Sequence, residues 1–111
     1  MNYLLGDNDI AARRLKLVAE IFAPSTEAFL IDARLSRPEL TLDLGCGPGH
    51  TTKLLANTLK GSATVGIDSS EIFITEAVGS RQMKGVSFVC HDISKMPLPI
   101  CPVSAALLNY L

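Results

Sequence analysis

"LDLGCGPGH", residues 42–50, places Gly45, Gly47 and Gly49 directly after an apolar run, with Asp43 ahead of the first. Glycine loses the most backbone freedom on folding, so such alternation destabilises regular structure. It makes sense where the chain must turn sharply, or where something approaches the backbone closely. Working outward, Glu39–Leu44 reads as a short strand with Leu40, Leu42 and Leu44 on one face. A helix follows the glycines, with Leu54, Leu55 and Leu59 on one side and Gly61 suited to its C′ position.

The pattern then recurs. Ala63–Ile67 is β-rich and ends at Asp68. Ser69 or Ser70 can cap a helix whose inner face holds Phe73, Ile74, Ala77 and Val78. Val86–Cys90 is another strand, and its end carries His91 and Asp92. After a proline-rich loop over Met96–Pro102, Val103–Leu108 is a last apolar run. Ahead of the glycines, Asp9 is expected to cap a helix running to about Phe22, with Ile10, Leu17, Val18 and Ile21 on one face. Pro24 is expected to end it, and Ser25 to cap a second helix that Pro38 stops. Strands alternating with helices predict an α/β fold: a Rossmann-like, doubly wound parallel sheet with right-handed crossovers, preceded by two N-terminal helices. A parallel sheet needs both faces covered, and the run ending at Leu108 has no helix after it. The expectation is therefore one incomplete domain over 1–111, truncated after about the fourth strand. Its N-terminal helices occupy 1–38 and its ligand-binding half 39–111.

Composition bounds the function. The 111 residues suffice for one domain, and 48% hydrophobic content supplies a core. A net charge of −1 gives no electrostatic pull toward nucleic acid or an anionic membrane. The N-terminus lacks the long apolar core of a signal peptide, and no run reaches the ~18 apolar residues of a membrane span. Cys46, Cys90 and Cys101 have neither disulfide-framework nor zinc-site spacing, so reduced thiols in a cytoplasmic protein, with no metal, are expected.

Ligands of open α/β sheets sit at the carboxyl ends of the strands. Three such ends carry polar residues here: Asp43 with the glycine loop, Asp68 with Ser69, and His91 with Asp92. Asp68 lies 19 residues after Gly49, near the separation of about 20 at which a strand-end carboxylate meets a ribose diol. A dinucleotide fingerprint begun at Gly45 and Gly47 needs glycine at position 50, where His50 stands. No P-loop lysine follows either.

The run resembles class I S-adenosylmethionine-dependent methyltransferases, whose first motif reads D/E-x-G-x-G-x-G. Asp43, Gly45, Gly47 and Gly49 match it without a gap. The resemblance extends to Gly66-Ile67-Asp68-Ser69-Ser70 and to His91-Asp92-Ile93, and covers about residues 40–110. Tyr3-Leu4-Leu5-Gly6 and Arg14-Leu15 look like the lead-in helices of small-molecule members. The resemblance implies that Asp43 organises the loop and, through water, the cofactor's amino group. It implies that Gly45 and Gly47 leave room for the cofactor, and that the backbone around Cys46 meets its methionyl part. By the same resemblance Asp68 takes both ribose hydroxyls, Ser69 lies beside the adenine, and Asp92 and the Ile93 amide bond the adenine. Asn109 would lie near the methionyl group. No residue is implied as a catalytic base, which a methyl displacement needs only if the acceptor must lose a proton during attack.

Three functions stay open on these residues. The first is a methyltransferase acting on a small molecule, present as its cofactor-binding N-terminal half. The second is a non-catalytic S-adenosylmethionine-binding module; the third, disfavoured by His50, is a nicotinamide-dependent oxidoreductase domain. The isolated segment is expected to be inactive, and Val103–Leu108, as an exposed edge strand, to pair with another copy.

Overall fold

The computed structural model describes residues 8–34, 37–80, 82–92 and 94–95, together with the backbone of 105–109. The elements are α1 (Asp9–Asp32), β1 (Leu40–Leu44), α2 (His50–Leu59), β2 (Ala63–Asp68), α3 (Glu71–Gly79), β3 (Val86–Cys90) and β4 (Ala105–Asn109). The strands form one parallel sheet in the order β3-β2-β1-β4. This is the expected α/β sheet, with successive strands stepping outward to β3 before the chain returns to the far side of β1. The reversal puts the switch point between β1 and β4, where Leu44 is in register with Asn109. The carboxyl ends of the strands meet there.

β1 is covered on both faces: Thr41, Leu42 and Asp43 are all buried. Leu42 packs with Val65 and Ile67 of β2, flanked by Leu40, Leu44 and Val89. Two smaller clusters lie above. Leu30 of α1 meets Leu55 and Leu59 of α2, and Ala11 and Ala12 meet Phe73 of α3.

Several local expectations are corrected. The N-terminal segment is one helix, not two. Its N-cap is Asn8, whose side chain accepts from the Ala11 amide at 2.9 Å, and Pro24 lies inside it. Pro24 and Glu20 are both exposed, so the carbonyl that a proline deprives of its partner can be hydrated, the least costly place for such an interruption. Ser25 therefore caps nothing, and the helix passes through it.

Ile10, Leu17, Val18 and Ile21 do share a face of α1, but it is turned to solvent, at 66, 57, 44 and 61% exposure. The face against α2 and α3 carries Ala11, Ala12 and Leu30. Small residues let the helix approach its neighbours closely, which hydrophobic periodicity alone does not register.

On α3 the inner face is Phe73 and Ala77, while Val78 is exposed and Ile74 half-buried. At the end of α2 it is Lys60, not Gly61, that takes the left-handed conformation, with φ of 53°. Gly61 is needed for another reason: a Cβ there would lie 2.3 Å from the Pro38 carbonyl oxygen. The last strand begins at Ala105, and Val103, Ser104 and the proline-rich loop from Met96 lie outside the described residues, as do Tyr3 to Gly6. β4 is an outer strand among the described residues. No described helix is long and apolar enough to cross a membrane.

The inverted packing of α1 has a measurable consequence. Leu30→Ala, which empties a fully buried position, should cost about 2–5 kcal/mol. Leu17→Gln and Ile21→Gln should each stay within about 0.5 kcal/mol of the wild type. Urea denaturation decides it, and a large loss from either glutamine variant would place that face in the core.

Candidate functional site

The glycine loop leaves β1 and reverses into α2 through left-handed backbone, with φ of 75° at Gly45, 55° at Gly47 and 94° at Gly49. Side-chain-bearing residues rarely adopt these angles, so the turn itself accounts for the alternation. Close approach adds to it unevenly. A Cβ on Gly49 would lie 2.8 Å from the Phe88 ring of β3, so that glycine makes room for the protein's own core. Among the described residues a Cβ on Gly47 would meet only Leu15 Cδ1, at 3.7 Å, an ordinary contact distance.

The loop's backbone donors are all used within the fold. The Gly45 and Cys46 amides both donate to the Ile67 carbonyl, at 2.7 and 3.1 Å, and the Gly49 amide donates to the Cys46 carbonyl at 3.1 Å. The Gly47 amide donates to Asp68 Oδ2 at 2.8 Å. Position 48 is proline and has no N–H. No amide from 45 to 49 is therefore left to cradle a phosphate, the service a glycine-rich loop gives nucleotides.

Asp68, at the end of β2, is 1% exposed. Its Oδ2 holds the Gly47 amide and its Oδ1 accepts from the Ser70 amide at 2.9 Å. A carboxylate has about four lone-pair sites, so each oxygen keeps capacity for a further donor. Burial pushes its carboxyl above the ordinary range, while the amides of Ser70, Gly47 and Ser69 pull the other way. Ser70, not Ser69, caps α3, accepting from the Phe73 amide at 3.1 Å.

Asp43, in the middle of the sheet, is fully buried. Its Oδ2 accepts from the Thr52 hydroxyl at 2.8 Å, and its Oδ1 is buried with no hydrogen-bond partner among the described residues. Burial raises its pKa from 3.8 to about 6, against the lowering effect of Thr52. Beside it the Cys46 thiol is buried and pushed up to about 12 by desolvation and by the Asp43 charge, so it is a packing residue at neutral pH. His50 opens α2 half-buried, and burial lowers its pKa.

The third strand end is looser. Asp92 is partly exposed, and its Oδ1 accepts from both the amide and the hydroxyl of Ser94, at 2.9 and 2.6 Å. These bonds to Ser94 lower its pKa. They also close a turn at Asp92, and the His91 amide donates to the Asp68 carbonyl at 2.9 Å, tying this strand end to that of β2. Ile93 and the Asn109 side chain lie outside the described residues; the Asn109 backbone sits beside Leu44, one residue before the loop. Among the described residues no group of three or more His, Cys, Asp and Glu could hold a metal.

Sequence reading missed Thr52 and Phe88, and it named Gly66 and Leu15 only as parts of motifs, without the contacts they make. A threonine on the buried side of a helix, three residues after Gly49, was the available signal for the first. The others depend on which side chains the sheet brings together.

The buried Asp43 has a consequence for stability. A carboxyl whose pKa is raised on folding favours the folded state when protonated, so its contribution falls as pH rises from 3.8 through about 6. Asp68, also raised, adds in the same direction. The stability of Asp43→Asn relative to wild type should therefore grow between about pH 4 and about pH 8, by on the order of 3 kcal/mol at most. Parallel urea denaturation across that range checks it; a difference independent of pH would mean that Asp43 titrates normally.

Comparison with known proteins identifies the family. The family model described as "Methyltransferase domain" matches residues 41–111. Trans-aconitate 2-methyltransferase of Methylobacterium nodulans is 34% identical over 104 residues, 91% of this chain and 39% of that protein. The Variovorax paradoxus enzyme of the same name is 47% identical over 64 residues, 56% of this chain and 24% of its own length. The chain thus spans about two fifths or less of these relatives. Among solved structures, the plantazolicin methyltransferase BpumL in complex with SAH superposes with a TM-score of 0.63 at 25% identity, covering 87% of this chain and 37% of that one. Human N-acetylserotonin methyltransferase in complex with SAM has a TM-score of 0.68 at 21% identity, covering 86% of this chain and 28% of that one, and shares the fold. With the match running from the second residue of β1 through the glycine loop to β4, the chain belongs to the methyltransferase domain family.

Proposed function

We propose that this chain is the cofactor-binding part of an S-adenosylmethionine-dependent methyltransferase acting on a small carboxylic acid. The observation that carries the cofactor assignment is the pair of buried strand-end carboxylates beside a glycine loop whose amides are all used internally. Asp43 Oδ1, buried and unpartnered, fits a ligand ammonium. Asp68, with lone pairs to spare on both oxygens, fits a diol. A pyrophosphate finds no donor in the loop, which disfavours the nicotinamide alternative. The relatives named for trans-aconitate support the acceptor class.

S-adenosylmethionine, when bound, would supply an electrophilic sulfonium methyl group, with the thioether of S-adenosylhomocysteine as the leaving group. Asp43 and the Cys46 backbone would hold the methionyl end, Asp68 and Ser69 the ribose and its surroundings, and Asp92 with the Ile93 amide the adenine. Asn109, in register with Leu44, belongs beside the methionyl end. Gly47 keeps the loop backbone clear, and Leu15 of α1 closes over it. A carboxylate acceptor is already deprotonated at neutral pH, so its oxygen attacks directly and no proton need be removed. That fits a site with no assigned base; orientation and exclusion of water are what the protein contributes.

Residues 1–38 form the cover and 39–111 the cofactor-binding half. The free thiols Cys46 and Cys90 accord with a reducing compartment, and we place the protein in the cytoplasm. Self-association through the outer edge of β4 belongs to the same reading.

Calorimetry on the chain should show saturable binding of S-adenosylhomocysteine. Asp68→Ala should weaken it about tenfold or more, as expected for loss of hydrogen bonds to a charged acceptor. NADH should give no thermal stabilisation at concentrations where S-adenosylhomocysteine does. Stabilisation by NADH alone would replace this reading with the oxidoreductase one, and unchanged affinity in Asp68→Ala would remove Asp68 from the ribose.

A further inference from the structure

Thr52 is the fourth residue after Pro48, on the first turn of α2, and its side chain is turned inward and fully buried. A threonine buried in a helix interior ordinarily satisfies its hydroxyl on its own backbone. Here the hydroxyl crosses to another element and donates to Asp43 Oδ2 at 2.8 Å.

Room for this crossing is made by Gly66 of β2, in register with Asp43. A Cβ on Gly66 would lie 2.7 Å from Thr52 Oγ1, 2.9 Å from Cys46 Sγ and 2.7 Å from Phe88 Cδ1. The absent side chain thus opens one small chamber into which the hydroxyl, the thiol and the ring all project. Of the two Asp43 oxygens, one is committed to Thr52 and the other has no partner. A lone donor on one oxygen fixes the rotation of the carboxyl group and so the direction of the other oxygen.

We propose that Thr52 is a positioning residue: its hydroxyl orients the Asp43 carboxylate so that Oδ1 remains available to a cationic ligand group, and Gly66 is glycine to let it do so. The inference rests on the reading of Asp43 as the ammonium-binding group. It adds that the binding strength of that group is set by a residue that does not touch the ligand.

The same hydrogen bond holds Asp43 ionised against the desolvation that pushes its pKa to about 6. Among the described residues, the other titratable group facing Asp43 is the Cys46 thiol, pushed up to about 12 and so neutral across the relevant range. Phe88 of β3 and Gly66 of β2 bring no charge. Losing the Thr52 hydroxyl therefore moves the Asp43 titration upward.

The test uses Thr52→Val, which replaces the hydroxyl by a methyl of similar size, and Thr52→Ser, which keeps it. Thr52→Ala stands in should the valine variant not fold. Carboxyl carbon NMR of the unliganded chain should place the Asp43 midpoint higher in Thr52→Val than in wild type, with Thr52→Ser unchanged. Calorimetry with S-adenosylhomocysteine at about pH 7.5 should show affinity about tenfold weaker in Thr52→Val, and within about threefold in Thr52→Ser. The pH below which binding fails should also move upward in Thr52→Val. An Asp43 midpoint equal in wild type and Thr52→Val would overturn the proposal, as would equal impairment by valine and serine, which marks a packing role. Absence of S-adenosylhomocysteine binding in the wild type would instead defeat the cofactor reading, and the NMR titration would still decide the role of Thr52.

Discussion

The carboxylate of Asp68 ties together two chain segments 21 residues apart, and the ligand-binding end of the sheet depends on that tie. One oxygen holds the Gly47 amide of the first strand-to-helix loop, and the other holds the Ser70 amide at the start of the next helix. Both bonds are buried, where a donor left unsatisfied costs more than a made hydrogen bond gains. The loop is therefore held by the end of β2, which also receives the Gly45 and Cys46 amides on the Ile67 carbonyl. The positive φ angles at the three glycines are what allow the backbone to present these donors inward together.

This arrangement separates two ways of using a glycine-rich turn. A phosphate-binding loop leaves its amides pointing at the ligand, so that the backbone itself is the binding group. Here the amides are used to hold the loop, and it is the carboxylates at the strand ends that keep lone-pair capacity beyond the fold's own bonds. Such a site suits neutral or cationic ligand groups, a hydroxyl pair and an ammonium, better than an anion. The burial of Asp43 has a cost in stability above about pH 6, and the fold tolerates it at a position where a charge is useful. Its neighbours limit that cost in different ways: Thr52 favours the ionised form, and Cys46 stays neutral beside it.

Much of this was legible in the residues. Strand ends at Leu44, Asp68 and Cys90 followed from short β-rich segments bounded by glycine or polar residues, because turn and cap residues interrupt a strand locally. Asp43, Gly45, Gly47 and Asp68 could be named from spacing, since the turn chemistry of glycine and the position of a strand-end carboxylate are local properties. The cap of α3 was narrowed to Ser69 or Ser70 for the same reason, and the structure puts it at Ser70.

The tertiary structure decided what depends on neighbours distant in sequence. Periodicity marked an apolar face on α1, yet the helix packs by Leu30 against α2 and by Ala11 and Ala12 against Phe73 of α3, because the face it buries is set by where those helices lie on the sheet. A proline signals a helix end, yet Pro24 is carried within α1 on its exposed side, where water can satisfy the freed carbonyl. Gly49 and Gly66 are glycines on account of Phe88, a ring contributed by a strand some twenty to forty residues further along. Thr52 acquires its partner only when α2 lies across β1 and β2. Local chemistry specifies turns, caps and strand ends because their partners are a few residues away; which buried groups meet is set by the order in which the strands pair.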